Sequence, residues 1–228
     1  ARVLGLVYGS FGAAKIVTQP LAGVWVDRVG GRRVLVVAAL LHLLTLVGFY
    51  LTRSAVTSLG LRVVGGVAMG LIHPAVFSLS MEGTAPERQG RRISTVLGFG
   101  AAGMLVGPAL AAVFAEKSLR LPLLLALGPT ALVALALAGS ELASTRGAAP
   151  APARARALAD ELREMRASFL DASLIAVVLP IVFNKLSFSA FQALIPIYGA
   201  EGLGLGRPGI SVLYLVTGLS FALAQPVG

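Results

Sequence analysis

The sequence predicts an all-α protein that crosses a lipid bilayer several times, and three observations carry that prediction. Of 228 residues, 57% are hydrophobic and only 13% are charged, against roughly 45–50% and about 25% in soluble domains. The apolar residues fall into seven runs, at 3–26, 34–52, 56–80, 93–115, 121–140, 172–199 and 209–228. Each is close to the ~20 residues that cross a hydrocarbon core as a helix. None alternates with period two, as a barrel strand would. Lys and Arg, finally, gather on alternate connections between the runs.

Taken in order, the runs are separated by short polar or glycine-rich breaks, except for the stretch 141–171. Helix is forced on each run, because amides in lipid must be satisfied within their own segment. The connections after the first, third and fifth runs hold Arg28, Arg32, Arg33, Arg88, Arg91, Arg92, Arg146, Arg154, Arg156, Arg163 and Arg166. The alternate set holds only Arg2, Arg53, Lys117, Arg120 and Arg207. The richer side is the cytoplasmic one, so the first run enters the cytoplasm at Asp27 and residue 1 starts outside. A net charge of +9 would suggest nucleic acid in a soluble protein. Here its one-sided distribution marks topology instead.

Residues 141–171 read as a cytoplasmic linker between 1–140 and 172–228. The segment opens with Ala, Pro and Gly, then turns amphipathic: Leu158, Leu162, Met165 and Phe169 share one helical stripe opposite a charged face. The sequence begins at Ala1 without an initiator Met and stops at Gly228 inside an apolar run. Both ends read as cuts in a longer protein. The first and last runs also align at an offset of 206: Tyr8, Gly12, Gln19 and Pro20 fall opposite Tyr214, Gly218, Gln225 and Pro226. That offset contains six spans, the period of a six-helix unit duplicated in parallel.

Several chemistries are excluded. There is no cysteine and there are only two histidines, His42 and His73, which rules out thiolate sites and a histidine-based metal centre. Gly98-Phe99-Gly100-Ala101-Ala102-Gly103 spells a dinucleotide-binding glycine pattern, but it lacks the preceding strand and the later acid that such a site needs. A retinal pigment would need a lysine on the last run, and none is there. No cofactor is expected. A membrane enzyme remains a distant alternative, since Asp27, Glu82 and Glu87 cluster with arginines and without a histidine.

Between the first two runs stands Gly23-Val-Trp-Val-Asp27-Arg28-Val-Gly30-Gly31-Arg32-Arg33. It resembles the G-x-x-x-D-R-x-G-x-R-R signature of the major facilitator superfamily, found between that family's second and third helices. The seven runs would then match family helices two to eight of twelve, a partial major-facilitator fold whose remaining helices belong to the same full-length protein. Arg62-Val-Val-Gly65-Gly66 is similar to the family's fourth-helix R-x-x-x-G. Gly103-Met-Leu-Val-Gly107-Pro108 is similar to its fifth-helix G-x-x-x-G-P, with Ala111 and Ala112 in place of the final glycines. The resemblance implies a secondary transporter of a small solute in the plasma membrane, working by alternating access. The fifth-helix motif favours proton-driven export over uptake; the alternative is an uptake permease for an anionic metabolite or a sugar.

Site residues follow in three groups. Gly23, Asp27, Arg28, Gly30, Arg32, Arg33 and Glu82 would form a cytoplasmic latch, with Asp27 taking hydrogen bonds from a helix N-terminus or pairing with an arginine. The family's usual arginine four residues after the Asp is Gly31 here, so which arginine pairs is open. Gly103 and Gly107 would let another helix approach closely, and Pro108 would bend its own helix, as a pivot. Lys15, Arg62 and Lys185 lie inside spans, where a cation facing lipid costs roughly 2.5–3.5 kcal/mol. They must therefore border a cavity or a partner. Family cavity helices one, four, seven and ten make Lys185, Asn184 and Gln192 the leading substrate contacts, followed by Arg62, His73 and Lys15; His42 reads as structural. No Asp or Glu lies mid-span, so the group that would carry coupling protons is not visible, unless it is His73.

Overall fold

A computed structural model describes residues 2–114, 118, 120–144, 163, 167 and 171–224. Seven long helices correspond to the seven apolar runs: α1 Arg2–Val29, α2 Gly31–Leu51, α3 Ala55–Met81, α4 Pro86–Phe114, α5 Leu121–Ser144, α6 Ala172–Ile197 and α7 Arg207–Ala224. A π-helical turn, Tyr198–Gly202, closes α6. By length and apolarity alone, three helical stretches among the described residues suffice to cross a membrane: Gly31–Leu51, Ala55–Met81 and Leu121–Gly139. The stripe Leu158, Leu162, Met165 and Phe169 lies outside the described residues, as do Gln225 and Pro226.

Two boundaries differ from the apolar runs. Helix α4 begins seven residues before its run, at Pro86, with Glu87 in its first turn. Proline supplies a helical φ where the missing N–H costs nothing, and an acid there favours the helix dipole. The charged first turns therefore project beyond the apolar layer. Helix α6 stops as an α-helix at Ile197, just after Pro196.

The packing centres on α3, which lies against α1 along one side and α2 along another. Ala22, Val26, Val34, Ala38, Leu71 and Ala75 form the buried cluster where the three meet. The approach of α1 to α3 is backbone-close. A Cβ on Gly66 would overlap the Phe11 carbonyl oxygen and sit 2.8 Å from the Ala14 Cβ, and one on Gly70 would sit 2.8 Å from the Thr18 Cβ. Helices in lipid gain association mainly from such close van der Waals packing. The sequence assigns such a role to Gly103 and Gly107. Both are exposed, and among the described residues a Cβ on either meets nothing within 4 Å. A G-x-x-x-G spacing sets two small residues on one helical face, but it does not say which neighbour that face meets. Helix α4 instead makes its main contact with α7, which ties the first five helices to the last two.

The α3–α4 corner is stitched by a residue that the sequence had counted only as a topological charge. Arg92 Nη1 donates to the Ser80 carbonyl at 3.1 Å and to Thr84 Oγ1 at 2.8 Å, sharing with the Thr84 hydroxyl, which donates at 3.2 Å, a carbonyl near the end of α3. Arg92→Ala is expected to cost ~1–2 kcal/mol of stability, read as a lower melting temperature of the detergent-solubilised protein. Arg91→Ala, which removes none of these bonds, serves as the control.

Candidate functional site

The G-x-x-x-D-R-x-G-x-R-R stretch folds as a corner rather than a loop. Helix α1 runs through Asp27 and Arg28 to Val29, Gly30 alone breaks the helix, and α2 starts at Gly31 with Arg32 and Arg33 in its first turn. Gly30 has φ 90° and ψ 141°, a left-side conformation that a β-carbon resists. Gly31 is needed for another reason: a Cβ there would lie 3.2 Å from Leu79 Cγ and 3.3 Å from the Ala75 carbonyl oxygen on α3. The two glycines thus let the corner turn in one residue and press onto α3.

This corner brings Asp27 and Glu82 to one groove of about 690 Å³, lined also by Gly23, Gly30, Pro74 and Met81. Both acids are exposed. The sequence foresaw Glu82 joining Arg32 or Arg33. The structure sets it beside Asp27 instead, because α3 ends next to the end of α1. Among the described residues, Asp27, Arg32 and Glu82 make no ion pair.

Toward the opposite end of α3 lies a second, partly open cavity. Arg62 is half-buried, its guanidinium carbon 5.8 Å from the Phe11 ring centroid and 5.7 Å from that of Phe49. Both lie within cation–π range. The surrounding cavity of about 320 Å³ is completed by His42, Thr45, Leu46, Gly65 and Leu123, drawn from α2, α3 and α5. Arg62 is thus one of the residues that line this cavity. His42, read from the sequence as structural, shares that cavity, and its buried Nδ1 has no hydrogen-bond partner among the described residues. No sequence signal marked the pair, since twenty residues and a turn of chain separate them.

Of the remaining candidates, His73 lies apart from Arg62. His73 is eleven residues further along α3, about 16 Å at 1.5 Å per residue. Its Nδ1 donates to the Met69 carbonyl at 3.0 Å, and its ring stands edge-on to Phe77. It is held by its own helix. Lys15 is half-buried on α1. Gln192 is half-buried on α6, and its carbonyl oxygen accepts a 2.6 Å hydrogen bond from the Tyr214 hydroxyl of α7. Asn184 and Lys185 belong to α6 by backbone, but their side chains, like that of Pro108, lie outside the described residues.

Comparison with known proteins follows the same lines. The sequence profile of the Major Facilitator Superfamily matches residues 1–228. Multidrug resistance protein 2 of Bacillus subtilis (strain 168) is 26% identical over 119 residues, which is 52% of this chain and 30% of that protein. Quinolone resistance protein NorA of Staphylococcus aureus (strain MRSA252) is 22% identical over 119 residues, 52% of this chain and 31% of that protein. The matched stretch thus spans about a third of the length of these relatives.

Proposed function

This chain belongs to the major facilitator superfamily, and from that premise we propose that it serves a secondary transporter of the plasma membrane that exports a small solute in exchange for protons. The observation that carries export over uptake is the likeness to two proteins named for drug resistance. The arrangement suits alternating access. Helices α1, α2 and α3 are locked together by backbone-close packing and would move as one body, while α4 against α7 forms the seam to the second half.

At the arginine-rich, cytoplasmic end, Asp27 and Glu82 edge the groove beneath the corner. In the outward-facing state Asp27 would accept hydrogen bonds from a helix end or an arginine and hold that end shut, with Gly30 and Gly31 fixing its position. Arg28, Arg32 or Arg33 would supply the cationic partner in that state. A charge-assisted bond of this kind is worth ~1.5–3 kcal/mol, enough to bias a two-state equilibrium about tenfold or more. Lys15, Arg62, Asn184, Lys185 and Gln192 would contact the solute or its counter-charge along the passage.

The test is dye accumulation inside everted membrane vesicles energised by a proton gradient. Asp27→Asn is expected to lower the initial rate about tenfold or more at unchanged expression and melting temperature. Equal rates for the variant and the native protein would remove the latch. Transport that ignores the proton gradient would remove antiport. Accumulation of an anionic metabolite in right-side-out vesicles, with no movement of the dye, would favour the uptake reading, to which the cavity around Arg62 lends its one argument.

A further inference from the structure

Proline 196 has no N–H, so the α-helical bond from residue 196 to the carbonyl of residue 192 cannot form. In an apolar environment an orphaned carbonyl is costly and seeks another donor. The structure supplies one from a different helix: the Tyr214 hydroxyl of α7 donates to the Gln192 carbonyl at 2.6 Å. Directly beyond, the chain loosens into the π turn Tyr198–Gly202. Its closing bonds run from Leu203 N to the Tyr198 carbonyl at 3.0 Å and from Leu205 N to the Gly199 carbonyl at 2.8 Å. Gly204 then turns the chain at φ 62°.

A second contact pins the same turn to α7. Gly199 is buried, and a Cβ there would lie 3.0 Å from Ile210 Cγ1 and 3.7 Å from Leu213 Cδ1. The segment therefore combines a proline break, a widened turn and a left-handed glycine, which are the devices that let a helix end change its path. One side-chain hydroxyl replaces the missing ladder bond. Because α7 packs against α4, whatever moves α7 relative to α6 also strains this bond.

We propose that the Tyr214 hydroxyl is the fastener of a hinge at Pro196–Gly204, and that its release from the Gln192 carbonyl is a step in the transport cycle. The second half of this statement rests on the transporter reading above; the first does not. Breaking the bond frees the end of α6 that lies opposite the arginine-rich corner and lets it swing away from α7. Remaking it restores the satisfied carbonyl and the closed contact. Tyr214 acts here as a positioning residue, through the backbone of α6 rather than on the solute.

Amide hydrogen exchange of the protein in lipid nanodiscs tests the fastener directly. Tyr214→Phe should speed exchange across 197–205 about tenfold, the factor set by one net hydrogen bond, with α1–α3 unchanged. Pro196→Ala restores an N–H able to reach the Gln192 carbonyl. In that background Tyr214→Phe should change exchange less than about twofold. No acceleration, or the same acceleration in both backgrounds, overturns the proposal. Ethidium transport by the same samples in proteoliposomes tests the second half. Loosened exchange with unchanged turnover would sink the hinge as a transport step. A native protein that moves no ethidium or other dye would instead sink the transporter reading and leave the exchange result to judge the fastener.

Discussion

Gly66→Val is expected to destabilise the folded protein strongly. A Cβ at this position already overlaps the Phe11 carbonyl oxygen of α1 and comes within 2.8 Å of the Ala14 Cβ. The obstacle is backbone, which cannot rotate away as a side-chain tip can. The α1–α3 pair would have to separate along the face that builds the buried cluster of Ala22, Val26, Leu71 and Ala75. Overpacking typically costs ~1–3 kcal/mol, and β-branching adds a few tenths to the penalty within a helix. That is a large fraction of the ~5–15 kcal/mol that domains as a class have in hand, so a clearly lowered melting temperature on fluorescence-detected size exclusion after heating is the expected readout. Gly60→Ala is the matched control. It lies on the same helix with nothing within 4 Å of an added Cβ, and it should gain up to ~1 kcal/mol of helix propensity. A well-folded Gly66→Val protein would mean that α1 and α3 are not in backbone contact in the bilayer.

Arg62→Leu is expected to give the opposite pattern, a folded protein without transport. The guanidinium lies between the Phe11 and Phe49 rings, each contact worth up to ~2 kcal/mol when desolvated. Leucine gives up these contacts. It also gives up the desolvation cost of a charge in the membrane, so replacing the ion with a hydrocarbon is close to neutral for stability. Transport should fall at least about tenfold, since a cation held in a cavity among α1, α2, α3 and α5 serves no packing need that leucine fails to meet. Arg62→Lys should recover little, because a compact ammonium cannot stack on two rings as a planar guanidinium does. The decisive measurement pairs melting temperature with initial dye-transport rate. Full transport by Arg62→Leu would reduce Arg62 to a packing residue.

Much of this was legible before any coordinates. The length of the apolar runs and the absence of water in a bilayer dictate helices, and the runs at 34–52, 56–80 and 121–140 agree with α2, α3 and α5 to within a few residues at most ends. Where the run and the helix disagree, the cause is polar: α4 continues through Arg88, Arg91 and Arg92 because those residues form helix equally well outside lipid. The corner motif was legible as a motif, but not the reason for its two glycines. Gly30 answers to a backbone angle and Gly31 to a neighbour on α3, and only the second depends on which helix lies alongside.

By itself the sequence determined what each segment is, a long apolar helix, and the cost that forbids Arg62 from facing lipid. Those are properties of a residue and its solvent, and they need no partner. The tertiary structure alone decided what each segment meets. It pressed Gly66 and Gly70 against α1, set His42 beside Arg62, set Glu82 beside Asp27, and gave the carbonyl that Pro196 orphans to Tyr214 on another helix. The reason is that every helix offers several faces of similar apolarity, and a bilayer does not distinguish them. Only the fit of backbone against backbone does.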